Sequence, residues 1–408
     1  MSLTLRQNLD RPLTIQEMDG NFIYLSSSIA SGSGASFPFT GSAGISGSVV
    51  INSTLEIGTG AGTGLNNIAL GQSALTDNTT GYNNVALGPN ALSNNTTGYN
   101  NVALGAVALA LNTTGYNNIA LGPNALQDNT TGYNNIALGS SALALNTIGS
   151  FNIALGESAL QNNTSGSQNI ALGNQTLSGN TTGNNNIALG YFSLFANTTG
   201  NQNIALGQQT LRYNTTGNYN VALGYRALQQ NTEGNQNIAL GTNSLSNNTS
   251  GSNNIALGPN ALLNNTEGYS NIALGNQPLS QNTTGHSNIA LGDSALNYNA
   301  IGNHNIALGQ NALTSNISGS YNVALGQGAL QNNTSGSFNT GLGYNTQTGN
   351  FSGSVILGAA AAATANGQFA LGSSTHPIGP IATEALTSNK TLEINLNGNL
   401  YKVLLYKA

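Results

Sequence analysis

The sequence predicts an all-β fold, a parallel β-solenoid of 17-residue coils, and three observations carry that prediction. The motif Ile/Val-Ala-Leu-Gly starts at residues 68, 85, 102 and 119 and recurs every 17 residues to 323, with Thr340-Gly341-Leu342-Gly343 as a closing variant. A fixed short period over many copies marks a solenoid. The whole unit reads Ile/Val-Ala-Leu-Gly-x-x-Ala-Leu-x-x-Asn-Thr-Thr-Gly-x-x-Asn, too short for two packed helices and punctuated by Gly and Asn every few residues. Composition agrees: 38% of residues are hydrophobic and the net charge is only -5 over 408 residues, so the low hydrophobicity and high charge of a disordered chain are both missing.

Within the unit, Asn95-Thr96-Thr97-Gly98 places Asn and Gly at the first and fourth positions of a type I turn, and Gly98 is expected in the left-handed region that often follows. The stretch ending Val102-Ala103-Leu104 reads as one short strand. Strand alternation puts Val102 and Leu104 on one side, toward an opposing wall made by Ala91 and Leu92, and Ala103 on the other. Gly105 marks the bend between the walls. The columns beginning Asn78-Asn95-Asn112 and Asn84-Asn101-Asn118 are expected to stack as amide ladders along the axis. With rungs about 4.8 Å apart, 17 coils span roughly 80 Å.

Such a coil is thin. With Ala69, Ala86, Ala103 and Ala120 read as an outward row, a lone stack leaves that row in water and buries little apolar surface against chain entropy. Small residues on one face allow identical faces to approach around a symmetry axis, so the sequence predicts a homotrimeric rod.

Charged residues are 5% of the chain, and only Arg212 and Arg226 of its seven basic residues fall in the repeats, which argues against nucleic acid as a partner. No apolar run approaches the roughly 18 residues of a membrane span, and none in Met1 to Leu13 has the core of a secretory leader. There is no cysteine. His286, His304 and His376 lack ligand-spaced partners, and Asp77, Asp128, Glu157, Glu233, Glu267 and Asp293 never share a coil or occupy adjacent coils. Metal, cofactor and enzymatic readings are therefore set aside, since each needs clustered groups. The recurring Asn-Thr-Thr sequons are read as turns, and Thr79 and Thr80 as alternating columns rather than a flat two-rank threonine grid. The candidate contact residues are Tyr82, Tyr99, Tyr116 and Tyr133, which follow the turn glycine in four successive coils. Aromatics beside Asn amides suit a glycan.

The two ends differ in kind. Thr14 and Glu17 have capping-box spacing, and Ile15, Met18, Phe22 and Leu25 then share one face of a short N-terminal helix. In the C-terminal segment, strand-like runs flank Asn397-Gly398, the signal of a β-hairpin, with Leu392, Ile394 and Leu396 facing Val403 and Leu405. A cap is expected there because an open solenoid end exposes strand edges. The organisation is thus 1–30, an attachment segment; 31–64, a Gly/Ser-rich strand linker; 65–374, the repeat array, with 17-residue units to about 343 and shorter ones after; and 375–408, the hairpin cap.

Residues 65 to 374, including Ser354 to Ser374, resemble the head repeats of trimeric autotransporter adhesins, the YadA-like β-roll. That resemblance alone implies a left-handed roll and supports the trimer. These units are longer than that family's usual coil, so the Asn-Thr-Thr-Gly turn is expected to bulge outward. Leu13, Thr14, Glu17, Asp19, Asn21, Phe22 and Leu25 resemble a short N-terminal motif of tail-fibre and virion proteins of tailed bacteriophages. Residues 37–60 resemble the strands that follow it, and the C-terminal hairpin is similar to those closing such fibres. The expectation is a structural virion fibre, assembled in the host cytoplasm and docked on a tail or baseplate protein through Thr14, Glu17, Asp19, Asn21, Phe22 and Leu25. It contacts a host-surface glycan and performs no catalysis. The alternative is a bacterial surface adhesin or filament of the autotransporter head type.

Overall fold

The computed structural model describes residues 57–58, 66–376, 391–396 and 399–404, all within the unit Thr54–Ala408. Its main element is a 20-stranded sheet. The short strand β1 (Ile57–Gly58) lies antiparallel to β2 (Ile68–Leu70) and pairs Ile57 with Leu70. From β2 onward the strands are three residues long and parallel, each pairing with the one a coil later: Ile68 with Val85, Val85 with Val102, Val102 with Ile119. The 17-residue interval holds to Thr340–Leu342, and the next strands, Val355–Leu357 and Phe369–Leu371, come after shorter coils, as expected. No helix occurs among the described residues. Thr391–Leu396 pairs antiparallel with Asn399–Leu404, with Leu392 opposite Val403. The expected N-terminal helix, and Leu405 of the hairpin, lie outside the described residues.

The face of each strand is the reverse of the expectation. Ala86, Ala103 and Ala120 are fully buried, and the flanking Val102 and Leu104 point outward, Leu104 with 37% of its surface exposed. The alanines meet Ala91 and Leu92 and their equivalents in a single core that runs through the stack. At Gly341, where the alanine is missing, a Cβ would lie 2.5 Å from Cγ of Leu330, so there the leucine column fills the space that the alanine methyl takes in the other coils. The lumen accepts one methyl per strand, and strand alternation then sends Ile/Val and Leu outside. Asn101 shares the inward side with Ala103, two residues on, and is itself fully buried. The Ala91-Leu92 wall is a run of turns rather than a second strand. Leu92 adopts φ 51, as the equivalent leucine does in every 17-residue coil. Bulky residues avoid that region, so each is held there by its surroundings: Leu92 N–H donates to the Ala108 carbonyl at 3.0 Å and its own carbonyl accepts from Asn95 N–H at 3.1 Å.

The asparagine ladders form as predicted. Asn112 Nδ2 donates to Asn95 Oδ1 at 2.8 Å and to the Gly115 carbonyl at 3.0 Å, and Asn101 N–H donates to Asn84 Oδ1 at 2.9 Å. Both columns are buried, which satisfies corner amides and carbonyls that water cannot reach. The turn glycine requires a different account. Gly98 and Gly200 are absent from the left-handed residues, whereas Gly105 has φ 136. A Cβ on Gly98 would strike Asn95 Oδ1 and the Gly115 carbonyl oxygen, so glycine stands there for close approach between coils, not for φ.

Candidate recognition surface

Two ladder bonds define the outer edge. Asn95 also donates to the Gly98 carbonyl at 3.0 Å, and Asn101 is fixed to the coil before it, so the two residues between Gly98 and Asn101 arch outward. Asn100, the second of them, takes φ 54, and Tyr99 stands on the surface beside it. Tyr82, Tyr99, Tyr116 and Tyr133 are thereby brought into one stack. Ring centroids follow at 5.0, 4.9 and 4.8 Å with interplanar angles of 4°, 6° and 8°, the rung spacing of the sheet. Phe151 ends the run edge-on to Tyr133, 5.2 Å away. An amide row lies alongside: Asn83 Nδ2 donates to Asn100 Oδ1 at 3.2 Å and Asn100 to Asn117 at 3.1 Å. Burial between its neighbours, and then charge on Tyr133 and Tyr99, raises the Tyr116 hydroxyl pKa.

A second run on the same edge was not foreseen. Tyr269 stacks on His286 at 4.6 Å, His286 meets His304 edge-on at 5.2 Å, and His304, Tyr321 and Phe338 stack at 4.8 and 5.0 Å. The rings shift from the first arch position to the second between His286 and His304, just as they do between Tyr133 and Phe151. That one-residue shift, together with the change of residue type, hides the run from a search for one repeated tyrosine column. His286 and His304 are thus members of an aromatic stack. No group of three metal-ligating side chains occurs among the described residues. Burial first, and then His304, lowers the pKa of His286. Between the runs, the first arch position carries Asn184, Asn201 and Asn218, bonded rung to rung through their amides, and Tyr219 stands at the second, 56% exposed.

The threonine columns differ from each other, although they lie in a bend rather than on a strand. Thr96 Oγ1 donates along the stack to the Thr113 carbonyl at 2.9 Å, while Thr97 is exposed. On the turns that follow the strand, an open groove of about 420 Å³ crosses several coils, lined by Gln277, Ser294, Tyr298 and Thr314 among others. The attachment residues Thr14, Glu17, Asp19, Asn21, Phe22 and Leu25 lie outside the described residues. No helix among the described residues is long and apolar enough to cross a membrane. The chain matches no family model, no curated protein and no solved structure.

Proposed function

We propose that the chain is a structural fibre of a tailed-phage virion, a non-catalytic homotrimeric rod whose length is set by the number of its repeats and whose edge contacts host glycans. The observation that carries the rod is that neighbouring coils pair strand residue with equivalent strand residue, 17 apart, and that Asn and Thr side chains bond across the same interval. Each added unit then adds one rung and nothing else.

The outward Ile/Val and Leu columns support self-association better than the alanine row first considered. Ile68 is 52% exposed, Ile187 37% and Leu189 46%, in two adjacent rows that continue from coil to coil. Contiguous apolar surface of this kind marks an interface, and a stripe parallel to the stack suits identical rods packed side by side. The stacked tyrosines beside an amide row suit a sugar, which offers a C–H face to the rings and hydroxyls to the amides. Placement on a virion rests on the resemblance of Leu13, Thr14, Glu17, Asp19, Asn21, Phe22 and Leu25 to the phage attachment motif. Immunogold labelling tests it: gold on phage particles supports the fibre, and gold on bacterial envelopes supports the adhesin instead. Glycan-array binding that is lost in Tyr99→Ala supports the contact role of the ladder.

A further inference from the structure

The only two arginines of the repeat array fall in one patch. Phe192, Gln209 and Arg226 succeed one another at 17-residue spacing in one left-handed column, and Phe195, Arg212 and Gln229 do so in a column three residues on. Aromatic rings floor this patch. Tyr191 packs edge-on to Phe192 at 4.2 Å, and Phe192 to Phe195 at 4.9 Å. The Arg212 guanidinium carbon stands 4.7 Å over Phe192 and 5.0 Å from the Tyr213 ring, and that of Arg226 lies 4.8 Å from the Tyr225 ring.

Both guanidinium groups are held in place without being neutralised. Arg226 Nε donates to Gln209 Oε1 at 3.1 Å, and Gln229 donates to the same oxygen at 3.1 Å, which fixes the Arg226 head. Arg212 Nε is buried with no hydrogen-bond partner among the described residues. Among the described residues no carboxylate pairs with either. Glu157, two coils before Tyr191, is bonded by Asn174, Asp293 lies four coils after Arg226, and the exposed Glu233 follows the turn of Arg226's own coil. In a chain with 5% charged residues, two pre-positioned, unpaired guanidiniums ringed by Tyr191, Tyr213 and Tyr225, which are 47%, 37% and 40% exposed, are not explained by packing.

We propose that this patch is a binding site for a carboxylate-bearing saccharide. The planar guanidinium accepts a carboxylate through two parallel N–H bonds, which a neutral sugar cannot replace. The flanking tyrosines take the C–H faces of the adjoining pyranose rings. The site extends the glycan-contact reading to a second place on the coil and stands apart from the Tyr99 ladder.

The test titrates the full chain by calorimetry with a galacturonic acid tetramer and with the neutral galactose tetramer. The acidic sugar is expected to bind at least about tenfold more tightly, and Arg212→Gln and Arg226→Gln each to weaken it by about tenfold, the loss of one charge-assisted contact. Arg226→Lys keeps the charge but loses the fork and is expected to remain weakened. Far-UV circular dichroism and light scattering confirm that each variant keeps its fold. Equal binding of the two tetramers, or binding unchanged in the double glutamine variant, overturns the proposal. So does full rescue by lysine combined with equal competition from dextran sulfate, which would show charge attraction alone. Binding of the neutral sugar that is lost in Tyr99→Ala, with no acidic binding, overturns this site and leaves the ladder reading intact; the reverse result keeps this site and removes the ladder.

Discussion

The side-chain amide of Asn112 donates to Oδ1 of Asn95, one coil earlier, at 2.8 Å, and the same nitrogen closes its own corner on the Gly115 carbonyl at 3.0 Å. One buried side chain thus welds neighbouring coils and terminates a turn. Repetition along the stack makes the column a continuous polar spine that runs with the Asn101 ladder beside the alanine and leucine core. Each member is both donor and acceptor, so the loss of one strands groups on both sides.

Substituting Asn197 by Leu removes the bond to Asn180 Oδ1, the bond from Asn214 Nδ2 and the bond to the Gly200 carbonyl. Stranded buried groups cost about 1–3 kcal/mol each. The expected outcome is a fall in unfolding free energy of at least about 3 kcal/mol in urea, with new proteolytic cleavage near residue 197. An unchanged midpoint would mean that water or relaxation satisfies the corner.

At the corner glycine, steric approach and backbone conformation predict different tolerances. If Gly200 were left-handed, asparagine would replace it at modest cost. Because a Cβ there meets Asn197 Oδ1 and the Gly217 carbonyl oxygen, Gly200→Asn and Gly200→Ala are both expected to destabilise by several kcal/mol, on the order of a buried overpacking change or more. Thermal melting followed by circular dichroism checks this, and a wild-type melt for Gly200→Asn would refute it.

The inward and outward positions of one strand should fail in different ways. Ala205 is fully buried between Ile204 and Leu206. Ala205→Leu is expected to destabilise the coil by about 1–3 kcal/mol through overpacking. Serines placed at Ile204, Leu206, Val221 and Leu223 should leave the fold intact and weaken self-association, which sedimentation velocity would detect as a smaller species at low concentration. Unfolding of the four-serine variant would show that the stripe stabilises the single chain instead.

Acid should loosen the second aromatic run before the first. The folded pKa of His286 is lowered, by burial first and by His304 next, so the unfolded chain binds its proton more readily. Its contribution is complete above the ordinary imidazole pKa and is lost as pH falls through the lowered value. A proton NMR titration should place His286 below a free histidine, with His304→Asn moving it part of the way back. A His286 titration at or above the ordinary value would contradict the stacked arrangement.

The period, the register and both amide ladders were legible because a repeat whose neighbour is itself leaves equivalent residues stacked. The inward face was not. Hydrophobicity alone favours Val102 and Leu104 inside, and strand alternation is indifferent to the choice. The parity of Asn101 with Ala103 settles it, since a ladder that needs a dry interior draws the alanine in with it. The left-handed Leu92 had no residue-type signal, because leucine avoids that conformation. Only its recurrence in every full coil hinted that the position was special. The arginine patch required the three-dimensional offset between columns, which brings Arg212 over Phe192 from 20 residues away.

The central claim, that each 17-residue unit is one rung of a single stack, is tested most directly by deleting Asn180 to Gln230. This removes three whole units and joins Gly179 to Asn231 in phase, with Asn231 in the ladder place of Asn180. Electron microscopy of the purified protein should show a rod of unchanged width, shorter by about 14 Å at ~4.8 Å per rung. A deletion of Asn180 to Thr232, which breaks phase, should abolish the rod. An in-phase deletion that collapses the particle, or shortens it by a clearly different length, would contradict single-file stacking.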